Sequence, residues 1–144
     1  KNPQLTSEEF DEEGKLGADQ YVIHFLPGQH KDRAKGGTLR LGSYPCTLKA
    51  GTKTAKLYGK SNIQERHRHR YEINNDFKKR LEEAGWIASG IYPKANLVEI
   101  AELKDHPFMM GTQFHPEFLS RPNKPHPLFQ GFIEASISRN RMKF

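Results

Sequence analysis

Cysteine is almost missing from this chain: Cys46 is the only one in 144 residues. It has no internal disulfide partner, and that usage fits a reducing compartment. Long apolar runs are missing as well, with nothing approaching the ~18 residues a helical membrane span needs. Lys1-Asn2-Pro3-Gln4 lacks the basic-plus-apolar pattern of a secretory leader. There are no internal repeats and no low-complexity tracts. The chain also lacks Gly-x-Cys-x-Gly and Gly-x-Ser-x-Gly, the small-residue turns on which reactive nucleophiles are mounted. A soluble, cytoplasmic domain with no membrane contact and no self-contained nucleophile is the expectation.

Enough is present for one domain with its own core, at 35% apolar and 28% charged residues. The net charge of +6 is uneven: residues 31–80 hold 14 Lys/Arg against 4 Asp/Glu, while residues 1–30 hold 2 against 6. The basic middle suits an anion, whether nucleic acid, nucleotide phosphate, a carboxylate substrate or an acidic surface.

Read in order, residues 1–20 form a polar loop with a solvated acidic run at Glu8, Glu9, Asp11, Glu12 and Glu13. Tyr21–Leu26 is β-branched and aromatic and reads as a strand stopped by Pro27-Gly28, in which His24 is a packed residue rather than a ligand. A polar loop covers Gln29 to Lys35. Thr38–Gly42 and Cys46–Lys49 read as two further strands, and Thr54–Tyr58 as a helical turn closed by Gly59. Cys46, between Pro45 and Thr47, reads as a small packed side chain.

Ile63-Gln64-Glu65-Arg66-His67-Arg68-His69-Arg70-Tyr71-Glu72 is the most unusual stretch. If extended, it puts Arg66, Arg68 and Arg70 on one side and Glu65, His67, His69 and Tyr71 on the other. Guanidinium forks grip oxyanions bidentately, so this row suits a carboxylate or phosphate. His67 and His69 have no third ligand nearby, which argues against a metal. Asn74 and Asn75 cap a helix running to about Ala84, with Phe77, Leu81 and Ala84 as its apolar stripe and Gly85 as its stop. Trp86–Ile91 and Leu97–Leu103 read as strands, the second alternating so that Glu99 and Glu102 need no functional role. Pro127 opens a last helix with Leu128, Phe129, Phe132, Ile133 and Ile137 on one apolar face. Strands flanked by helices make an α/β domain.

The chemistry concentrates after the apolar run Pro107-Phe108-Met109-Met110, which reads as a buried strand. It leads into Gly111-Thr112-Gln113-Phe114-His115-Pro116-Glu117-Phe118. Pro116 opposes a helix and holds His115 extended. His115 and Glu117 then point the same way, as an imidazole oriented by a carboxylate. Such a pair activates a nucleophile, which must come from elsewhere.

Gln113-Phe114-His115-Pro116-Glu117-Phe118 resembles the second part of the Cys-His-Glu triad of class I glutamine amidotransferases. Gly36–Gly42, Glu65–Asn75, Ser120-Arg121-Pro122 and His126–Phe129 narrow the resemblance to the C-terminal glutaminase domain of the CTP synthase family, from about Ser7 to Ser138. The resemblance implies a flavodoxin-like fold, a mixed sheet flanked by helices, incomplete here. Residues 1–144 would be the C-terminal part of one amidotransferase domain. The nucleophile-bearing part would lie upstream of Lys1 and the synthase domain outside the chain, so the piece alone is expected to be inactive.

By that resemblance His115 is the catalytic base and acid, Glu117 its orienting partner, Arg70 the group for the α-carboxylate of L-glutamine, and Glu9 the group for its amino end. No cofactor is implied within this chain; ATP and Mg2+ serve the synthase domain, where ammonia aminates UTP. A homotetramer without nucleic acid is implied for the complete enzyme. The alternatives are a glutaminase serving another synthetase and a non-enzymatic basic module on nucleic acid, whose binding would fall steeply with salt.

Overall fold

Alternating side chains along the arginine-histidine run produce the long edge strand that sets the architecture. The computed structural model describes residues 4–11, 13–25 and 40–141. Leu26 at the end of the first expected strand, its stop at Pro27-Gly28, the loop to Lys35, Gly36-Gly37, and Thr38 and Leu39 of the second strand lie outside the described residues. Strands β1 (Thr6–Ser7), β2 (Tyr21–Phe25), β3 (Arg40–Leu48), β4 (Asn62–His69), β5 (Tyr71–Ile73), β6 (Trp86–Tyr92), β7 (Leu97–Leu103) and β8 (Met110–Thr112) form two sheets. One has five strands in the order β4-β3-β6-β7-β8, with every neighbouring pair antiparallel. The other is β1-β2-β5, with β1 parallel and β5 antiparallel to β2. Helices α1 (Lys53–Tyr58), α2 (Lys78–Glu83) and α3 (Pro127–Arg141) flank them. The chain changes sheet at Arg70, between the end of β4 and the start of β5.

Several expectations need correction. The two strands predicted between Thr38 and Lys49 are one strand through Arg40–Leu48. Gly42, at φ 106°, takes a backbone conformation side chains disfavour. Toward β6 the β3 ladder covers only Thr47 and Leu48, so Pro45 lies on an edge where a missing N–H is tolerated. The strand expected across Pro107–Met110 is the shorter β8, and Met109 is exposed. The acidic run is not wholly solvated. Buried Asp11 accepts from the backbone N–H groups of Lys15 and Leu16 at 3.0 and 2.8 Å, and Glu8 accepts from that of Phe25 at 2.8 Å.

Cys46, Leu48, Ile63, Ile100, Phe114 and Leu128 form the apolar core. A Cβ on Gly90 would stand 2.8 Å from both Cys46 Sγ and Ile100 Cγ1, so only glycine lets β6 come this close. Burial, the largest cause, pushes the Cys46 thiol up to about 12. Cys46 is a packed core residue and an inert thiol.

Helix α3 starts at Pro127 as expected, and of its expected apolar face only Leu128 is buried in the core. Leu128 and Gly131 are buried, and a Cβ on Gly131 would meet the Leu57 side chain at 2.6 Å. Phe129, Phe132, Ile133 and Ile137, expected on the packed face, are exposed.

Candidate active site

His115 leaves β8 three residues after Thr112 and is held by the neighbouring edge, its backbone N–H donating to the Arg66 carbonyl at 2.9 Å. Phe114 before it is buried, its ring near those of His67 and His126 at 5.8 and 6.2 Å. The chain is therefore pinned on both sides of Phe114, and His115 is presented at the surface. Its Nδ1 lies 2.7 Å from Glu117 Oε1, and its ring stacks on Phe118 at 4.9 Å. The contact is made, but not along an extended segment. His115 is extended at φ −107°, ψ 95°, and Pro116 opens a 3-10 turn over Pro116–Phe118 instead of excluding one. The turn brings Glu117 back under the imidazole.

The hydrogen bond from His115, the largest cause, lowers the Glu117 pKa below the usual carboxylate value. With Nδ1–H directed at Glu117, Nε2 is the basic nitrogen, on a ring 39% exposed. A second histidine–glutamate contact shows the difference. His126 Nδ1 accepts from the Leu128 N–H at 3.2 Å, so its Nε2–H donates to Glu65 at 3.0 Å, and both residues are buried. Tyr58 completes this contact by donating to Glu65 at 2.7 Å. Both His126 nitrogens are committed, so that pair supports the fold, whereas His115 keeps one nitrogen for chemistry. Sequence reasoning missed the Glu65–His126 pair because its partners are 61 residues apart.

Arg70 is exposed at the joint between the sheets. Glu9 is exposed in a 3-10 turn whose Ser7 side chain accepts from the Glu9 N–H at 3.3 Å. The three-stranded sheet places both in the neighbourhood of Tyr71: Ser7 registers with Ile23 on β2, and Phe25 of β2 registers with Tyr71, next to Arg70. Tyr71 feels both. Burial raises its hydroxyl pKa first, the Glu9 charge raises it further, and the Arg70 charge opposes them.

Arg66 and Arg68 are exposed along β4 as the alternation predicts, but the opposite face is a buried polar cluster. Arg40 lies 2.5 Å from Glu99 Oε1 and 3.2 Å from Glu72 Oε1, and His69 Nε2 is 2.8 Å from Glu72 Oε1. The Arg40 guanidinium sits over Tyr44 and Tyr92, at 4.5 and 4.7 Å from their ring centroids. Burial, the largest cause, lowers the pKa of His67 to about 3. Glu102 also proves structural: its carboxylate accepts from the Lys53 and Thr54 N–H groups, each at 2.9 Å, at the start of α1. The alternation in β7 concealed both glutamates because Leu97–Ile100 is buried on both faces. No group of three or more His, Cys, Asp or Glu that could hold a metal occurs among the described residues. A cleft lined by Leu48, Thr52, Ala55 and Lys56 contains none of the four candidate residues.

Burial, the first cause, raises Glu99 from 4.5 to about 7, with Arg40 opposing. Across that window the folded chain retains a proton that the unfolded chain releases. This contribution is fully present below pH 4.5 and is lost as pH rises to about 7, a change of about 3 kcal/mol. Glu99→Gln should flatten the decline. Denaturant midpoints at pH 5 and pH 8 check it, and an equally steep fall in the variant would refute it.

Residues 4–135 match the family described as Glutamine amidotransferase class-I. CTP synthase of Dehalococcoides mccartyi is 57% identical over 115 residues, covering 80% of this chain and 21% of that protein. CTP synthase of Mesoplasma florum is 53% identical over 137 residues, covering 94% of this chain and 25% of that protein. The chain thus spans about a quarter or less of these curated relatives. Among solved structures, the Trypanosoma brucei CTPS glutaminase domain with bound acivicin superposes with a TM-score of 0.79 at 31% identity, covering 94% of this chain and 51% of that one. A match over 4–135, with the same architecture in a solved relative, places this chain in the class-I glutamine amidotransferase family.

Proposed function

We propose that this chain is the histidine–glutamate part of the glutaminase domain of a CTP synthase. Glutamine is hydrolysed there to glutamate and ammonia, and the ammonia aminates UTP in an ATP- and Mg2+-dependent step on a synthase domain. The observation that carries the reading is the His115–Glu117 contact, with one ring nitrogen free for chemistry on an accessible ring. A cysteine outside these 144 residues supplies the nucleophile, because Cys46 is buried with its thiol pushed up to about 12. His115 Nε2 takes the thiol proton as the sulfur attacks the side-chain amide carbon, and returns it to the departing ammonia. It then deprotonates the water that cleaves the thioester. Glu117 keeps the ring oriented and stabilises its charged form.

Arg70 and Glu9 bind the two charged ends of glutamine, an arrangement supported by the charge of each acting on Tyr71. No residue of this chain is assigned to ATP, Mg2+ or UTP, and the tetramer belongs to the synthase portion. Arg40, one of the basic residues of the middle third, is buried in ion pairs and is not available to nucleic acid.

The test uses the full-length protein with UTP, ATP, Mg2+ and either glutamine or ammonia. CTP should form from both nitrogen donors. Arg70→Ala should raise the glutamine KM by about 10- to 100-fold, the loss of one charge-assisted contact, without changing ammonia-dependent synthesis. Amination of a different acceptor would replace the proposal with that of another synthetase, and an unchanged KM would remove Arg70 from the site.

A further inference from the structure

The two halves of the candidate site belong to different sheets. Arg70 and Glu9 are set by the three-stranded sheet, and His115 follows β8 of the five-stranded one. Something must fix the distance between substrate ends and reacting group. The structure assigns that role to Gln113, a positioning residue tied to buried Glu72; the inference rests on the glutaminase reading above.

The backbone N–H of Gln113 donates to the Glu99 carbonyl at 2.9 Å, which keeps the residue on the five-stranded sheet. Its side chain crosses to the other sheet. Nε2 donates to Glu72 Oε2 at 3.0 Å and to the Tyr71 carbonyl at 3.3 Å. Tyr71 and Glu72 directly follow Arg70 in the chain. Two residues beyond Gln113, the His115 N–H is bound to Arg66. Gln113 therefore spans the joint at which Arg70 sits, with the substrate-binding turn on one side and the catalytic segment on the other.

The anchor is itself immobilised. Glu72 is fully buried, and its second oxygen accepts from His69 at 2.8 Å and from Arg40 at 3.2 Å. A carboxylate held by an arginine, a histidine and an amide cannot swing without leaving a buried charge unpaired. Sub-ångström placement matters in such a site, where a 1 Å displacement costs about 100-fold in rate.

In the full-length enzyme, Gln113→Met keeps the side-chain length and the backbone hydrogen bond but cuts the tie. Glutamine-dependent kcat should fall by about 10- to 100-fold while the glutamine KM stays within about threefold, because Arg70 and Glu9 still bind substrate. Ammonia-dependent synthesis should not move; the unfolding midpoint should fall, because buried Glu72 Oε2 loses its amide donor, but the kcat loss should persist under conditions where the domain is fully folded. Adding Glu72→Gln to Gln113→Met should cost less than the two single losses combined, since both cut one tie. An unchanged kcat, a rise in KM alone, a kcat loss that disappears where the domain is fully folded, or fully additive losses would each overturn the inference. Its failure is separable from that of the glutaminase reading. If His115→Ala retains glutamine hydrolysis, the reading fails; if His115→Ala is inactive while Gln113→Met is normal, only Gln113 loses its role.

Discussion

His115→Ala in the full-length protein should abolish glutamine-dependent CTP synthesis and leave ammonia-dependent synthesis near the wild-type rate. His115 performs every proton transfer in the proposed hydrolysis, so losing it removes activation of the nucleophile and protonation of the leaving group together. Triad members act as a unit, and removal of the base costs about 10^6 in turnover in the best-studied case. Glu117→Gln should be milder, because its carboxylate is about half exposed and water can partly replace it, but the ring then loses its fixed tautomer. The measurement is CTP formation with each nitrogen donor in turn. Equal loss with glutamine and with ammonia would mean that His115 supports the fold or the synthase reaction, and the assigned role would fall.

Local chemistry was legible in the sequence wherever it depended on near neighbours. The Gly59 stop of α1 at φ 65°, the Asn74 cap of a 3-10 turn leading into α2, and Pro127 at the head of α3 all follow from residues a few positions apart. So does the His115–Glu117 contact, although Pro116 makes it through a 3-10 turn rather than an extended chain. Alternation correctly put Arg66 and Arg68 on the opposite side of β4 from Glu65 and His67; the structure shows the arginines exposed and the other two buried. The pattern showed the buried face to be polar but could not reveal its partners, because Arg40, Glu72 and Glu99 come from three separate strands up to 59 residues apart. The α3 error has a related origin. Periodicity finds an apolar stripe, but the smallness of Gly131 decided which face could approach Leu57. Gln113 carried no signal beyond its place in the motif, since its partners lie 41 and 42 residues away.

Arg40→Met should destabilise the domain by about 3–5 kcal/mol at pH 8, the usual cost of removing one partner from a buried ion pair. Methionine fills much of the space between Tyr44 and Tyr92, so the loss is electrostatic more than volumetric. Glu72 and Glu99, both fully buried, would be left facing each other, with His69 and Gln113 serving only Glu72. Glu99 has an escape: without the guanidinium that opposes its upward shift, it holds its proton to still higher pH and enters the fold neutral. The destabilisation should therefore shrink at pH 5 and grow through the neutral range. Urea midpoints of the complete glutaminase domain at the two pH values measure this. An equal loss at both would show that Arg40 acts by packing, and a loss below about 1 kcal/mol would show that the cluster does not depend on it. The functional consequence follows the same bonds. With Arg40 gone, Glu72 holds Gln113 less firmly, so glutamine-dependent turnover should fall even where the domain stays folded, and ammonia-dependent turnover should not.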